Sequence, residues 1–244
     1  MRRYFFKISF KGTDFHGWQT QPNATSVQET IETCLAQLFS NTTFSIVGCG
    51  RTDTGVHAKN YFFHVDFLDS IDEGNLKNTL NKVLPKSIVI LDVFQVDSAL
   101  HARFNAKLRT YRYFIHQEKE PFLSEFSWFM RKPINLNRMN EAAQYLIGKH
   151  DFASFAKSHS DVTNTFCEVS YAEWKFEGTQ LVFEIRANRF LRNMVRAIVG
   201  TLLEVGYKKL SPDSIPEIML LKSRQSAALS VPAEGLFLWE ITYE

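Results

Sequence analysis

The chain has 244 residues, of which 45% are hydrophobic, and its formal net charge at pH 7 is +2. This length is enough for one large domain or for two packed units of about 100–120 residues, each with its own core. So small a net charge does not by itself indicate a polyanionic partner. The three cysteines, Cys34, Cys49 and Cys167, form no CxxC pair, which argues against a disulfide framework and against a thiolate zinc site.

The N-terminal segment and the hydropathy of the chain bear on cellular location. The first residues, MRRYFFKISF, begin with two charged side chains, after which apolar and polar side chains alternate. A secretion signal would instead have a continuous apolar region. No stretch approaches the roughly 18 apolar residues of a membrane span. The sequence therefore predicts a soluble, cytoplasmic protein with no membrane partner.

Periodic patterns in the N-terminal part predict a strand, a helix and two further strands. Tyr4–Phe10 alternates as a strand does, and apolar residues of Ser26–Phe39 fall on one helical face. Ser26 and Glu29 form a capping-box pattern at the start of this helix. The remaining strands are predicted at Phe44–Val47 and Tyr61–Phe67.

A similar order of elements recurs in the C-terminal part. One helix is predicted over Asn137–Gly148, where glycine ends it, and a longer one from about Arg189 to Val205. The strands are predicted at Thr110–His116, Glu168–Phe176 and Gln180–Arg186. We therefore predict an α+β fold of two related halves, residues 1–104 with a glycine-rich aspartate loop and residues 105–244 with an arginine-bearing helix.

The densest chemical signal is the loop from Gly48 to His57, which contains Asp53. Its three glycines allow a tight backbone path that would display the carboxylate of Asp53. Arg51, two residues away, would favour the ionised form that a nucleophilic carboxylate needs. The alternative is a structural turn in which Asp53 bonds backbone amides and Arg51 balances its charge.

Neither an organic cofactor nor a metal is predicted. The loop lacks the Lys-Ser/Thr ending of a phosphate-binding P-loop and the GxGxxG spacing of a dinucleotide fold. His57 and His64 lie seven residues apart. That spacing fits neither a helical metal pair nor a zinc finger, so packing or turn roles are expected for both histidines.

Arginines in the second half lie beside aromatic residues, a combination that suits RNA. Guanidinium groups pair with phosphates, and aromatic faces stack on bases. Arg189, Arg192 and Arg196 are predicted to line one flank of the last helix. Arg196 lies among apolar residues, where its charge needs a carboxylate or a phosphate, and Asp53 is a candidate partner.

Tyr111 and Tyr113 alternate with Arg112 in a predicted strand, so both rings should face the same side of a sheet. Packing in the core is the ordinary role of such a pair. Their position shortly after Arg103 makes at least one of them a candidate platform for an exposed base.

The segment Arg51–His57, with the sequence RTDTGVH, resembles the signature of the TruA family of tRNA pseudouridine synthases. The resemblance extends over nearly the whole chain in seven ordered blocks. These blocks are Gly17-Trp18-Gln19 with Gln21, Ser26-Val27-Gln28-Glu29, His101-Ala102-Arg103-Phe104, Tyr111-Arg112-Tyr113, Asp151-Phe152 with Ser154-Phe155, Met194-Val195-Arg196 with Ile198-Val199-Gly200, and Pro232-Ala233-Glu234-Gly235-Leu236.

This resemblance implies a pseudouridine-synthase fold of two ferredoxin-like halves, with antiparallel sheets around a central basic cleft. It also implies a homodimer that acts on uridines of the tRNA anticodon arm, typically at positions 38 to 40, without a cofactor or a metal. Asp53 would be the catalytic aspartate, Arg51 and Arg196 the charges around it, Tyr111 the ring stacked on the target base and Leu236 part of the pocket wall. Arg103 and Arg192 are predicted to bind the RNA.

The chemistry implied by the resemblance begins with a uridine that leaves its helical stack. The N1 glycosidic bond breaks, the uracil rotates, and a bond to C5 forms. Asp53 would attack the ribose C1′ or the uracil C6, or assist formation of a glycal. Tyr111 is a candidate for the base that removes the C5 proton.

Two departures from the family pattern stand out. Thr54 occupies a position that is often alanine, and Asp161–Phe166 reads DVTNTF where an Arg-Thr pair is common. The second departure removes a positive charge from a segment expected to face RNA, which bears on the set of tRNAs and on affinity.

Two other classes of function compete with an isomerase. A non-catalytic RNA-binding module would share the stacking aromatics, although the RRM signature is absent. A glycosidase-like hydrolase would need two carboxylates, Asp53 with Asp14 or Glu234, but no sugar-binding pattern supports it.

Overall fold

The computed structural model of the chain describes residues 1–40, 42–158 and 163–243. It forms two compact units. Unit 1 contains Met1–Lys107 and the C-terminal residues from Leu238 onward, and unit 2 contains Leu108–Phe237. The predicted division differs in that it assigns all of residues 105–244 to the second half. No local pattern determines which sheet a terminal strand joins, so the return of the C-terminus to unit 1 is visible only in the structure.

Unit 1 begins with a strand–helix–strand–strand–helix–strand order. Its elements are β1 (Arg2–Phe10), α1 (Val27–Leu38), β2 (Val47–Gly48), β3 (His57–Phe67), α2 (Glu73–Val83) and β4 (Ile88–Val96). The side chain of Ser26 accepts a hydrogen bond from the Glu29 amide and starts α1, which confirms the predicted cap. On β1, the alternating residues Tyr4, Phe6 and Ile8 are buried, as the pattern predicts.

The sheet of unit 1 has the strand order β4-β1-β3, and β1 is antiparallel to both neighbours. The short β2 pairs with β3 through Val47 and Gly48. This order and connectivity are those of a ferredoxin-like βαββαβ unit. Two of its elements, α2 and β4, were not predicted. In α2 only Leu76 and Leu80 are buried, too few to give a clear helical stripe in the sequence.

Unit 2 is likewise built from an antiparallel sheet and helices. Its elements are β5 (Leu108–His116), β6 (Trp128–Phe129), α3 (Leu136–Gln144), β7 (Gly148–Asp151), β8 (Phe166–Glu177), β9 (Gln180–Ala187), α4 (Met194–Gly206) and α5 (Ser214–Leu220). The strand order is β5-β9-β8-β7, all antiparallel, and β6 runs parallel to β5. The last strand of the chain is β10 (Leu236–Thr242). The predicted α+β class with antiparallel sheets is therefore confirmed.

Two predicted helix boundaries are wrong. Helix α4 begins at Met194 and not near Arg189, because Asn193 adopts a left-handed conformation with φ 67° that cannot continue a helix. Arg189 and Arg192 therefore lie ahead of the helix and do not share a flank with Arg196. Helix α3 ends at Gln144, and Gly148 instead begins β7. No helix in the described ranges has both the length and the apolar character needed to cross a membrane.

Candidate active site

The loop that carries Asp53 connects β2 to β3 and is attached by backbone hydrogen bonds to the segment after β1. The amide of Trp18 donates to the carbonyl of Thr52 (3.3 Å), and the amide of Gly55 donates to the carbonyl of Phe15 (3.2 Å). Within the loop, the amide of Val56 donates to the carbonyl of Asp53 (3.1 Å). The backbone on both sides of Asp53 is therefore held in place by main-chain bonds, which do not depend on its side chain.

Glycines outside the loop allow this close approach. A Cβ on Gly12 would lie 2.0 Å from the carbonyl oxygen of Val56, and one on Gly17 would lie 2.4 Å from that of Thr52. Gly17 also has φ 89°, a conformation that favours glycine. The glycines of the loop stand out in the sequence, whereas no local pattern indicates that Gly12 allows this approach.

Two aromatic side chains, those of Trp18 and Tyr61, contact the loop. The rings of Trp18 and Tyr61 stack with centroids 4.2 Å apart, and the hydroxyl of Tyr61 donates to the carbonyl of Gly50 (2.5 Å). Both side chains are buried. Gly48 leaves the room that they occupy, since a Cβ there would lie 2.0 Å from the Tyr61 hydroxyl and 2.6 Å from the Trp18 ring.

We expect Gly48→Ala to lower the free energy of unfolding by roughly 1–3 kcal/mol, because the added methyl group overpacks a buried aromatic pair. Gly50→Ala is the matched control, since a Cβ on Gly50 would meet no atom within 4 Å. Denaturant unfolding of both variants measures the difference. Equal stability of the two variants would show that the Trp18–Tyr61 pair does not require glycine at position 48.

Asp53 is half-buried, whereas its neighbours Arg51 and Thr54 are exposed. The intervening Thr52 is buried, and its hydroxyl has no hydrogen-bond partner among the described residues. Thr52 thus places a buried polar group without a hydrogen-bond partner among the described residues directly before Asp53 in the chain.

Arg51 and Arg103, both predicted to be functional, lie on the same cavity of about 170 Å³ in unit 1. The lining residues are Trp18, Gln19, Gln28, Ile46, Val47, Gly48, Gly50, Arg51 and Arg103. Arg103 is exposed, and its guanidinium lies 5.8 Å from the ring of Phe104, which is 76% exposed. Charge and an accessible ring are thus adjacent at this edge of unit 1, and the amides of Gln19 and Gln28 were not predicted to be there.

His57 and His64 have structural roles in unit 1. The amide of Gly12 donates to Nδ1 of His57 (3.0 Å), and the amide of Ala102 donates to Nδ1 of His64 (3.1 Å). Burial, reinforced by the charge of Arg3 and by His101, lowers the pKa of His64 to about 4. Both rings are therefore acceptors at Nδ1, in agreement with the expected packing roles. In the part of the chain that is described, no group of three or more His, Cys, Asp or Glu is placed to hold a metal ion.

In unit 2, Tyr111 and Tyr113 differ in exposure although they share a face of β5. Tyr113 is fully buried, and its hydroxyl donates to the carbonyl of Pro232 (2.9 Å). Burial first, and then Glu234, raise the pKa of Tyr113. Tyr111 is only half-buried and meets the ring of Phe190 edge-on, at 5.0 Å. Of the two tyrosines, Tyr111 has the accessible ring.

Arg196 lies in the first turn of α4 and is half-buried. Its Nε donates to the carbonyl of Val231 (2.7 Å), and the amide of Val231 donates back to the carbonyl of Arg196 (3.2 Å). The segment that follows ends at the buried Leu236, whose amide donates to the carbonyl of Ala233 (2.9 Å). A Cβ on Gly235 would lie 2.8 Å from the Tyr113 ring. Unit 2 thus brings Arg196, Tyr113 and residues 231–236 together.

The other predicted residues have these positions. Arg192 is exposed in the turn before α4, and its carbonyl accepts from the amide of Lys157 (2.9 Å). Asp14 is paired with Lys11 at 3.8 Å. The departure at Asp161–Phe166 falls partly outside the described residues, since Asp161 and Val162 are not among them. Within it, the Thr165 hydroxyl donates to a carboxylate oxygen of Asp151 (2.5 Å).

Comparison with known proteins gives consistent matches. A family model described as tRNA pseudouridine synthase matches residues 142–244. The tRNA pseudouridine synthase A of Parabacteroides distasonis is 46% identical over 100% of this chain and 96% of its own length. Those of Bacteroides thetaiotaomicron and Bacillus pumilus are 44% and 39% identical, over 100% and 97% of this chain and 91% and 97% of their own lengths.

Among solved structures, a chain of a Cbf5-Nop10-Gar1 complex matches with a TM-score of 0.35 and 11% identity, over 82% of this chain and 54% of that one. That likeness is too weak to support a conclusion about fold. The full-length relatives carry the assignment, because each is well above 30% identical over nearly the whole chain. The chain therefore belongs to the tRNA pseudouridine synthase A family of isomerases.

Proposed function

We propose that this protein isomerises uridine to pseudouridine at positions 38, 39 and 40 in the anticodon arm of tRNA, with Asp53 as the nucleophile. The proposal rests on the way in which the fold holds the backbone of Asp53. Its loop is bound on both sides by the main-chain bonds at Thr52 and Gly55, and its side chain is half-buried. A carboxylate fixed in this way can meet an extruded base without reorganisation.

The reaction needs no co-reactant, since its product is an isomer of its substrate. The bond from N1 to the ribose C1′ breaks, the uracil turns, a bond from C5 to C1′ forms, the C5 proton leaves, and N1 takes up a proton in exchange. In this scheme Asp53 attacks C1′ or C6, or assists a glycal, and is released at the end. Tyr111 is our candidate for the group that accepts the C5 proton.

The other roles are proposed residue by residue. Arg51 and Arg196 would supply positive charge to the reacting carboxylate and substrate, Tyr111 would stack on the extruded base, and Leu236 would form part of the pocket wall. The half-exposed side chain of Tyr111 supports its role. Arg196 is anchored through Nε, and no other hydrogen bond of its guanidinium is made to the described residues, which leaves two nitrogens for a ligand.

Two exposed arginines are proposed to bind the RNA backbone. Arg103 and Arg192 are both accessible, and the exposed Phe104 next to Arg103 offers a stacking surface. We further propose that the enzyme is a cytoplasmic homodimer, which a measurement of its molar mass in solution tests.

No observation favours the two competing functions. A hydrolase with Asp14 as its second carboxylate is disfavoured because Asp14 is exposed and paired with Lys11. A non-catalytic RNA-binding module would not require the main-chain attachments on both sides of Asp53.

Site mapping tests the proposed substrate. Unmodified tRNA transcripts with uridine at positions 38 to 40 are incubated with the protein, and pseudouridine is mapped along the RNA. We expect modification only at those positions and none in matched transcripts that carry cytidine there. Pseudouridine elsewhere would contradict the assignment to the anticodon arm, and its complete absence would contradict the proposed function.

A further inference from the structure

An open cavity of about 540 Å³ lies at the C-terminal end of α4, on the surface of unit 2. Its lining residues are Lys132, Pro133, Ile134, Asn135, Gly206, Tyr207, Lys208 and Lys209. Three of them are exposed lysines, and we call the group formed by Lys132, Tyr207, Lys208 and Lys209 the lysine pocket. It contains none of the residues to which the proposed reaction assigns a role.

The positive charge of the lysine pocket is only partly neutralised. Lys209 pairs with Glu204 at 2.8 Å. Within the described ranges, no carboxylate lies within ion-pair distance of Lys132 or Lys208. Lysines often cluster at a helix C-terminus because its free carbonyls attract them. Here the carbonyls of the last turn already accept from main-chain amides, including that of Asn135 on Gly206 (3.0 Å).

Tyr207 holds two of the ammonium groups at the cavity. The Nζ of Lys132 lies 5.3 Å from the centre of its ring and the Nζ of Lys209 lies 5.7 Å from it. Attraction between the ring and these cations keeps the charges close together, and it leaves the ring poorly suited to stack on a base. The site therefore fits an anion and not a nucleobase.

Lys208 adds a second, independent observation. It follows the end of α4 with φ 62°, in the left-handed region where glycine is the usual residue. Glycine would make this turn without strain, whereas lysine brings a positive charge to the cavity at the cost of a less favourable backbone. Lys208 therefore places a positive charge at the cavity in a position where glycine is the usual residue.

We propose that the lysine pocket binds backbone phosphates of the tRNA at a distance from the reacting uridine, an inference that rests on the proposed function. Tyr207 follows Arg196 by 11 residues, so the pocket lies about 16 Å along α4 from that side chain. Exposed lysines on flexible stems act as separate point charges, which suits successive phosphates of a chain better than a single enclosed anion.

The test compares two double variants that lose the same charge. Lys132→Gln with Lys208→Asn removes both unpaired lysines, and asparagine tolerates the left-handed turn. The control, Lys82→Gln with Lys86→Gln, removes two exposed lysines of unit 1. The dissociation constant for an unmodified tRNA transcript is measured for each over a range of salt concentrations, together with turnover at saturating tRNA.

For the pocket variant we expect a dissociation constant raised about tenfold and a salt slope smaller in magnitude by about one to two. Turnover at saturating tRNA should stay at the wild-type value, and the control should bind as the wild type does. Equal weakening in both variants, or wild-type affinity and slope in the pocket variant, would overturn the proposal. If the double variant does not fold, Lys132→Gln alone provides the same comparison with one positive charge removed instead of two.

The binding measurement stands apart from the proposed reaction. A wild-type protein that binds tRNA without forming pseudouridine would overturn the proposed function, while the two dissociation constants would still decide whether the lysine pocket contacts phosphate.

Discussion

Asp53→Asn should abolish turnover, by roughly 10⁴-fold or more, while leaving the thermal unfolding temperature and the affinity for tRNA near their wild-type values. An amide of the same shape cannot act as the nucleophile. The fold should survive, because the bonds that hold the loop join main-chain atoms of residues 15–18 to Thr52 and Gly55. Single-turnover kinetics, with binding and thermal unfolding measured on the same preparation, separates these quantities.

Asp14→Asn is the matched control for this substitution. Asp14 is an exposed aspartate of the same unit and pairs only with Lys11 among the ion pairs described, so its loss should leave the rate unchanged. Turnover by the Asp53→Asn variant at the wild-type rate would disprove the role of Asp53. That role would also fail if folding, binding and activity were all lost together, because a structural aspartate predicts that pattern.

Arg196→Ala should lower the rate of the chemical step by roughly 10²–10³-fold, the usual effect of removing a charged group that stabilises a transition state. Single-turnover rates at saturating tRNA measure this loss.

Arg196→Lys separates charge from anchoring. It keeps a cation but loses the Nε bond to the carbonyl of Val231. We expect this variant to lose less of the rate than Arg196→Ala does. An alanine variant with the wild-type rate would refute the proposed role of Arg196.

Much of the fold could be predicted from periodicity and capping. The start of α1 at Ser26 and the strands that became β1, β5, β8 and β9 follow from local patterns. The wrong helix boundaries occur where the backbone conformation is not determined by the local sequence pattern. The start of α4 depends on the left-handed Asn193, and the helical periodicity of the sequence on either side of it gives no sign of that change in the backbone.

The candidate site was only partly predictable, for a similar reason. The glycine-rich motif located Asp53, but the support from Gly12, Trp18 and Tyr61 comes from segments that meet only in the folded unit. Likewise, alternation places Tyr111 and Tyr113 on one face of a strand. Burial of Tyr113 depends on Pro232, which is 119 residues away in the chain.

The most direct test of the account is tritium release from C5-labelled uridine in unmodified tRNA transcripts, with wild type and Asp53→Asn side by side. Formation of the bond from C5 to C1′ expels the C5 hydrogen, so release reports the isomerisation itself. We expect release by the wild type and none by the variant, with both proteins binding the tRNA equally. Release by both proteins would contradict the role of Asp53, and binding without release by the wild type would contradict the proposed reaction.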